Sequence, residues 1–487
     1  MRLDEYAAHD ATGLARLLAS GDIAPNELGR CLVEATARVN PALNAVLELY
    51  HDALEALPGA AGPGPFHCIP TLTKDFPIEA GRPAGFGSRL ARGFRARADA
   101  IYWKRARVGG VVNAGRTTSS EFGIPAATET LLHGATRNPW DPSRGVSGSS
   151  GGAAAAVAAG IVPFAQGGDG GGSIRNPASF CGLIGLKPSR GRITGSPNAN
   201  APLLGLATGF FITRSVRDTA ALLDLCHGPD AGDGYEIAPP EDSYGRAMNT
   251  RPKGLRVALC TQSWSGVPID AEVRAATVAA AARLEALGHI VREASPEFDY
   301  EAFLEAQKVI WAADAAASLP AMASLTGLPM DESSLGASVL AMYSHGATLG
   351  AARLIDALAV YDRVTRQLGR FMAGYDLLLT PTSTILPEPV GTFDPDREGI
   401  DHDDVFDDLA PKETFTALFN GTGQPAISLP LGRSASGLPI GVQLVARFGR
   451  EDVLLAVARQ LEEELEDGEG VWGQGRPPVH AGLLAEG

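Results

Sequence analysis

The chain has 487 residues, 45% of them apolar and 20% charged, enough to bury a large core in one α/β domain or in two or three smaller ones. A formal net charge of -15 argues against a general attraction to nucleic acid or to an anionic membrane. The five cysteines, Cys31, Cys68, Cys181, Cys226 and Cys260, are scattered without a C-x-x-C pair, which speaks against a disulfide framework or a thiolate metal site and makes a reducing cytoplasm the simplest setting.

The first residues, Met1-Arg2-Leu3-Asp4-Glu5-Tyr6, carry acids where an export signal needs a basic head and an apolar stretch. A helix is expected over 11–19, stopped by Ser20-Gly21-Asp22, and a second, capped by Asn26, runs to about Val39. Residues 1–60 thus read as a helical arm. Short apolar runs at 68–72 and 108–114, set among glycines and prolines, read as strands of a mixed sheet.

Glycine is densest over 145–192. That region offers a helix over 153–159, a strand over 161–165, and then the loop Gly167-Gly168-Asp169-Gly170-Gly171-Gly172-Ser173. The small-apolar stretch 152–165 is broken by Gly160 and Pro163 and falls short of the roughly 20 residues that span a bilayer. Strands at 256–260 and 290–293 flank a helix over 271–287, whose Val273, Ala276, Ala280, Leu284 and Leu287 recur three or four apart, with Gly288 as its stop. Residues 300–375 are helical in composition and suit an elaboration that shapes a pocket. Strands at 375–380, 424–430 and 439–445 and a helix over 451–464 close the chain. No internal repeat appears, and one domain is expected.

Amide hydrolysis needs an activated nucleophile, a base that takes its proton and returns it to the leaving nitrogen, and donors for the oxyanion. Ser173 follows three glycines, which let the backbone bend and leave the N–H groups of Gly170, Gly171, Gly172 and Ser173 free to converge on an anion. The second serine site, Val146-Ser147-Gly148-Ser149-Ser150-Gly151-Gly152, precedes the alanine helix, so its hydroxyls lie near a helix N-terminus. Taken alone, that run reads as a flexible loop. Asp169 is placed to orient the glycine loop, and Arg175 is open to two roles, binding a carboxylate or bracing the fold.

Three segments in order, Gly148-Ser149-Ser150-Gly151-Gly152, Gly171-Gly172-Ser173-Ile174-Arg175-Asn176-Pro177-Ala178 and Gly185-Leu186-Lys187-Pro188-Ser189-Arg190-Gly191-Arg192, closely resemble the amidase signature family. The resemblance extends upstream to the segment leading into Lys74-Asp75, through Ser120-Glu121-Phe122-Gly123 and Asn138-Pro139-Trp140-Asp141-Pro142, and downstream over Gly423-Gln424-Pro425-Ala426 and Gly441-Val442-Gln443-Leu444. Residues 300–375 carry no family landmark.

This likeness implies a single α/β domain over 1–487, with a large twisted mixed β-sheet flanked by helices, a signature core over 61–225 and a C-terminal part of that core over 376–487. It implies Ser173 as the acylated nucleophile, Ser149 as the relay, preceded by a cis peptide, and Lys74 as the base, with no metal and no organic cofactor. A lysine of ordinary pKa is only roughly 0.04% neutral at pH 7. Lys74 must therefore be buried beside hydroxyls, with no carboxylate holding its proton, and Asp75 must point away.

The loop Gly167-Gly168-Asp169-Gly170 resembles the branch that includes 6-aminohexanoate cyclic dimer hydrolases, acylamidases and urethane-cleaving members, which implies a small-molecule or oligomeric amide or carbamate substrate and a monomer or homodimer. Two other readings are kept: the glutaminase subunit of a tRNA-dependent amidotransferase, and an inactive binding or scaffold homologue. A phosphate cradle is set aside because no G-x-x-x-x-G-K-[ST] run occurs. Asp401-His402-Asp403-Asp404 reads as a solvated acidic loop rather than a metal cluster. His67, His133 and His345 lie outside any nucleophile-elbow context, and Cys181, among Phe180, Leu183 and Ile184, reads as core filling.

Overall fold

The computed structural model describes residues 1–59, 64–465, 472 and 477; the remaining parts of the expected arm (residue 60), signature core (61–63) and C-terminal segment lie outside the described residues. Eleven strands form one mixed sheet. From edge to edge they run Val46–Leu49, Val111–Thr117, Ile69–Lys74, Phe164–Asp169, Thr208–Thr213, Ile184–Lys187, Ala426–Arg433, Pro439–Ala446, Leu377–Pro381, Arg256–Leu259 and Ile290–Glu293. Parallel pairing occupies two flanks, Val111–Thr117 with Ile69–Lys74 and Phe164–Asp169 on one side, Leu377–Pro381 with Arg256–Leu259 and Ile290–Glu293 on the other. The strands between them pair antiparallel.

The strand Ile69–Lys74 is buried at all six positions, as a strand covered on both faces must be. The all-apolar helix Gly151–Ala158 is buried along its whole length. It packs against strand Phe164–Asp169 and against the short helix Arg175–Cys181. Close approach here depends on glycine: a β-carbon at Gly152 would fall 2.6 Å from the backbone nitrogen of Thr118, so nothing larger fits without moving the neighbouring strand end.

Several elements differ from the expected ones. The second N-terminal helix is Pro25–Leu43; Asn26 lies inside it, and the start is fixed instead by Pro25 and by Glu27, whose carboxylate accepts from the Ala24 N–H at 2.8 Å. Val108 ends the helix Ile101–Val108, and the strand begins at Val111. The strand expected at 161–165 starts at Phe164 and continues through Gly167, Gly168 and Asp169, because pairing with Thr208–Thr213 supplies partners for that backbone. Asp401–Asp404 is no loop: Asp401 caps the helix His402–Glu413 by accepting from the N–H groups of Asp403 and Asp404, which offsets unpaired donors at a helix start.

The helical region between 300 and 375 resolves into Tyr300–Thr326, Ala337–Gly346 and Ala351–Ala373. Tyr300–Thr326 is long and apolar enough to cross a bilayer by length and composition, a feature the reading of 152–165 passed over. Here it lies against the other two helices, and Phe303, Ile310, Ala312 and Leu319 are buried in the core.

Substituting Gly152→Ala should overpack the junction between the helix Gly151–Ala158 and Thr118 and cost about 1–3 kcal/mol or more. Denaturant unfolding at neutral pH measures it; an unchanged midpoint would contradict the packing described.

Candidate active site

Lys74 ends one strand and Asp169 ends its parallel neighbour, so the residues after them converge on a crevice at the carboxyl ends of parallel strands, where open α/β sheets place ligands. The segment carrying Ser149 is stitched from both sides. Ser147 O accepts from Thr128 N, Ser149 O from Ser120 N at 3.2 Å, and Ser150 N donates to Ser173 O at 3.2 Å. The Ser150 hydroxyl, rather than capping the helix, bonds both the carbonyl and the N–H of Gly168 at 3.1 Å. The Gly148–Ser149 peptide is cis.

Lys74 Nζ donates to Ser149 Oγ at 2.6 Å. Both side chains are buried, as is Ser173, and all three line one cavity of about 380 Å³. Burial drives the Lys74 amine down to about 7, against the charges of Asp169 and Asp75, which pull it upward. Neither carboxylate reaches it. Asp75 accepts from Gly85 N at 2.7 Å, Gly87 N at 3.0 Å and Arg116 Nη1 at 2.6 Å. The Asp75 carbonyl also takes the N–H of Phe86. Asp75 thus points away from Lys74 and holds the turn that carries Phe86 into the cavity wall beside Phe76 and Phe122.

Asp169 is held by Arg175 through Nε at 3.0 Å and Nη2 at 2.8 Å, and by Asn420 Nδ2 at 2.9 Å. Burial alone would raise its pKa, but the Arg175 charge and these hydrogen bonds hold it at about 2. Arg175 also donates to Thr416 O, Gln443 Oε1 and Asn420 Oδ1. All three guanidinium nitrogens of Arg175 are thus directed at groups of the protein itself. Asp169 Oδ2 accepts from the N–H groups of Ile174 and Arg175, so the loop is tied at its exit. The N–H groups of Gly170, Gly171, Gly172 and Ser173 donate to no acceptor among the described residues.

Glu413, at the end of the helix His402–Glu413, lies directly behind this loop. A β-carbon at Gly171 would fall 2.4 Å from its Oε2, and Gln307 Nε2 donates to that oxygen at 3.3 Å. Burial, reinforced by the negative Asp169, pushes the Glu413 carboxyl up to about 8, against Arg175, Gln307 and Lys412. A neutral carboxyl therefore backs the loop at neutral pH. Sequence reading missed it, together with Gln307, Thr416 and Asn420, because each reaches the site from more than 100 positions away. Most of the rest of the wall is apolar, with Ile78, Ile124, Trp311, Leu319 and Met322, interrupted by polar side chains such as Asn198, Thr208, Asp314 and Ser318. No histidine lines the cavity among the described residues.

Away from the cavity, Cys181 is buried and burial pushes its thiol up. Asp401, His402 and Asp403 bring one potential ligand atom each within 4.8 Å of one another. Asp401 is occupied as a helix cap and Asp403 by Lys308.

The family model described as Amidase matches residues 27–455. The chain belongs to the amidase family. Among its relatives, the 6-aminohexanoate-cyclic-dimer hydrolase of Paenarthrobacter ureafaciens is 39% identical over 472 residues, covering 94% of each chain. An acylamidase of Rhodococcus erythropolis is 32% identical, covering 93% of this chain and 94% of its own. A solved structure of 6-aminohexanoate cyclic dimer hydrolase superposes with a TM-score of 0.90 at 36% identity, covering 97% of this chain and 99% of that one. This amidase is thus an amide-hydrolysing enzyme on a mixed α/β fold shared across nearly its full length.

Because Glu413 has a folded-state pKa above its ordinary value, the stability it lends is full below about pH 4.5 and is lost as pH rises through about 8. Glu413→Gln should therefore unfold like the parent near pH 4.5 and gain stability progressively towards pH 8.5, on the order of a few kcal/mol. Thermal melts across that range read the difference; a gap that closes with rising pH would contradict a buried neutral carboxyl.

Proposed function

We propose that this amidase cleaves carbon–nitrogen bonds through a seryl acyl-enzyme, with Ser173 as nucleophile, Ser149 as relay and Lys74 as base. The observation that carries the reading is the 2.6 Å contact of a buried, cation-free-prone amine with Ser149 Oγ, in a cavity that Ser173 also lines. With Lys74 neutral, the Ser149 proton passes to Nζ as Ser149 takes the proton of Ser173, and Ser173 Oγ bonds to the amide carbon. The tetrahedral anion faces the unoccupied N–H donors of Gly170, Gly171, Gly172 and Ser173. Returning along the same route, the proton reaches the leaving nitrogen, the amine departs, and water repeats the sequence on the ester to release the acid.

The apolar wall favours amides with aliphatic or aromatic flanks, and the relatives' names add nylon-type 6-aminohexanoate oligomers and aryl acylamides as the first substrates to try, with carbamates next. The mechanism needs no second subunit, so the lone chain should turn over simple amides.

Ser173→Ala should abolish turnover, and Lys74→Ala and Ser149→Ala should each lose several orders of magnitude in kcat, because the three act as one unit; near-normal rates for Lys74→Ala would refute the assignment. Since the neutral amine is the active form, kcat/KM should fall tenfold per pH unit below about 7. The same depressed pKa destabilises the fold at every pH below the ordinary lysine value. Lys74→Met should accordingly be inactive yet more stable, on the order of a few kcal/mol at pH 7 or below, with the gain fading as pH approaches 10.5. A melting temperature lowered by this substitution at pH 7 would speak against the strained amine.

A further inference from the structure

The helix Tyr300–Thr326 turns one face to the cavity, with Trp311, Asp314, Ala315, Ser318 and Leu319 along it at three- and four-residue spacing. Trp311 lies over the glycine loop: a β-carbon at Gly170 would sit 3.3 Å from its ring. Asp314 follows three residues on, about 4.5 Å further along the helix axis, and lines the same cavity.

Asp314, which is only partly buried, differs from the buried acids, each of which has an ion-pair or hydrogen-bond partner: Glu121, Asp218 and Glu413 are held by hydrogen bonds, and others by arginines. Asp75 has Arg116, Asp169 has Arg175, Asp10 has Arg217 and Glu451 has Arg192. Among the described residues Asp314 has no ion pair and no hydrogen bond. Burial alone shifts its carboxyl above the ordinary value, with no cation drawing it back. Placing a carboxylate in an apolar cavity without a partner costs free energy that an alanine or leucine would not, and an arriving cation removes that cost. Lys74, which also lines the cavity, does not supply one: among the described residues no ion pair joins it to Asp314, and its amine is engaged by Ser149.

We propose that Asp314 is a specificity-determining residue that receives a protonated amine carried by the substrate, so that this amidase prefers amides bearing an alkylammonium group some carbons away from the scissile carbonyl. The inference rests on the reading of Ser173 as the acylated nucleophile only in placing the carbonyl beside Gly170; recognition of the ammonium is a property of the cavity. It distinguishes linear ω-amino amides, which carry the cation, from cyclic or fully acylated amides, which do not. The aliphatic part of such a substrate would lie along the apolar wall while its charge pairs with Asp314 in a partly desolvated setting, where an ion pair is worth more than at the surface.

Two matched pairs of amides test this, one for each side of the scissile bond. On the acyl side, 6-aminohexanoyl p-nitroanilide is compared with heptanoyl p-nitroanilide; on the amine side, N-hexanoyl-1,5-diaminopentane is compared with N-hexanoylhexylamine. The parent enzyme should favour the cationic member of at least one pair at least tenfold in kcat/KM. Asp314→Asn should erase that preference mainly through KM, and Asp314→Lys should invert it. A parent enzyme that favours the neutral member of both pairs, or an Asp314→Asn variant that keeps the cationic preference, overturns the proposal. Calorimetric binding of the same compounds to Ser173→Ala gives a readout independent of turnover. If the parent cleaves none of the four while Ser173→Ala still binds a cationic member more tightly than its neutral partner, the catalytic reading fails and the Asp314 site stands; turnover without cationic preference has the opposite meaning.

Discussion

The site depends on one constraint: an amine at the end of a buried strand is kept without a carboxylate. Lys74 lies between two acids that are close enough to raise its pKa, and burial still prevails. Each acid is committed elsewhere. Asp75 is bound by Arg116 and by two backbone N–H groups, Asp169 by Arg175 and Asn420. Had either carboxylate been left unbound, it would have formed the ion pair itself, and the amine would have remained a cation. In the proposed mechanism the arginines therefore act through what they withhold from Lys74.

The same economy of charge runs through the loop behind Ser173. In the proposed reaction, an anion developing near Gly170–Ser173 would be favoured by open N–H donors and disfavoured by nearby negative charge. Asp169 is neutralised by Arg175, and Glu413, with no cation bound to its carboxyl among the described residues, holds its proton instead. A side chain at Gly171 would have to displace the Glu413 carboxyl, which occupies that space. Packing, protonation and loop shape are thus set by one contact between segments more than 240 positions apart.

Much of the candidate site was legible in the chain because the proposed chemistry rests on local runs. The serines at 149 and 173 sit in glycine-rich segments whose meaning depends on near neighbours, and Lys74 follows an apolar strand; the helix over 271–287 and the strand at 290–293 were readable from periodicity for the same reason. Pairing partners were not legible. The strand Phe164–Asp169 runs four positions, Gln166 to Asp169, beyond its expected end, since Thr208–Thr213 lies beside it. Asn26 looked like a cap, but Pro25 and Glu27 start the helix with Ala24 as its cap, two residues earlier. Arg175 became a brace only once Thr416, Asn420 and Gln443 were brought around it, and Glu413, from a stretch read as acidic and solvated nearby, entered the site because its helix closes over the glycine loop.

The most direct test of the account is the ionisation of Lys74 itself. With the side-chain amine observed by nitrogen-15 or ε-carbon-13 magnetic resonance in the folded enzyme, and assigned by its disappearance in Lys74→Met, the account predicts a titration midpoint near 7. A midpoint near the ordinary lysine value of about 10.4 would mean that the amine is a cation at neutral pH, and would contradict the chemistry proposed for this site.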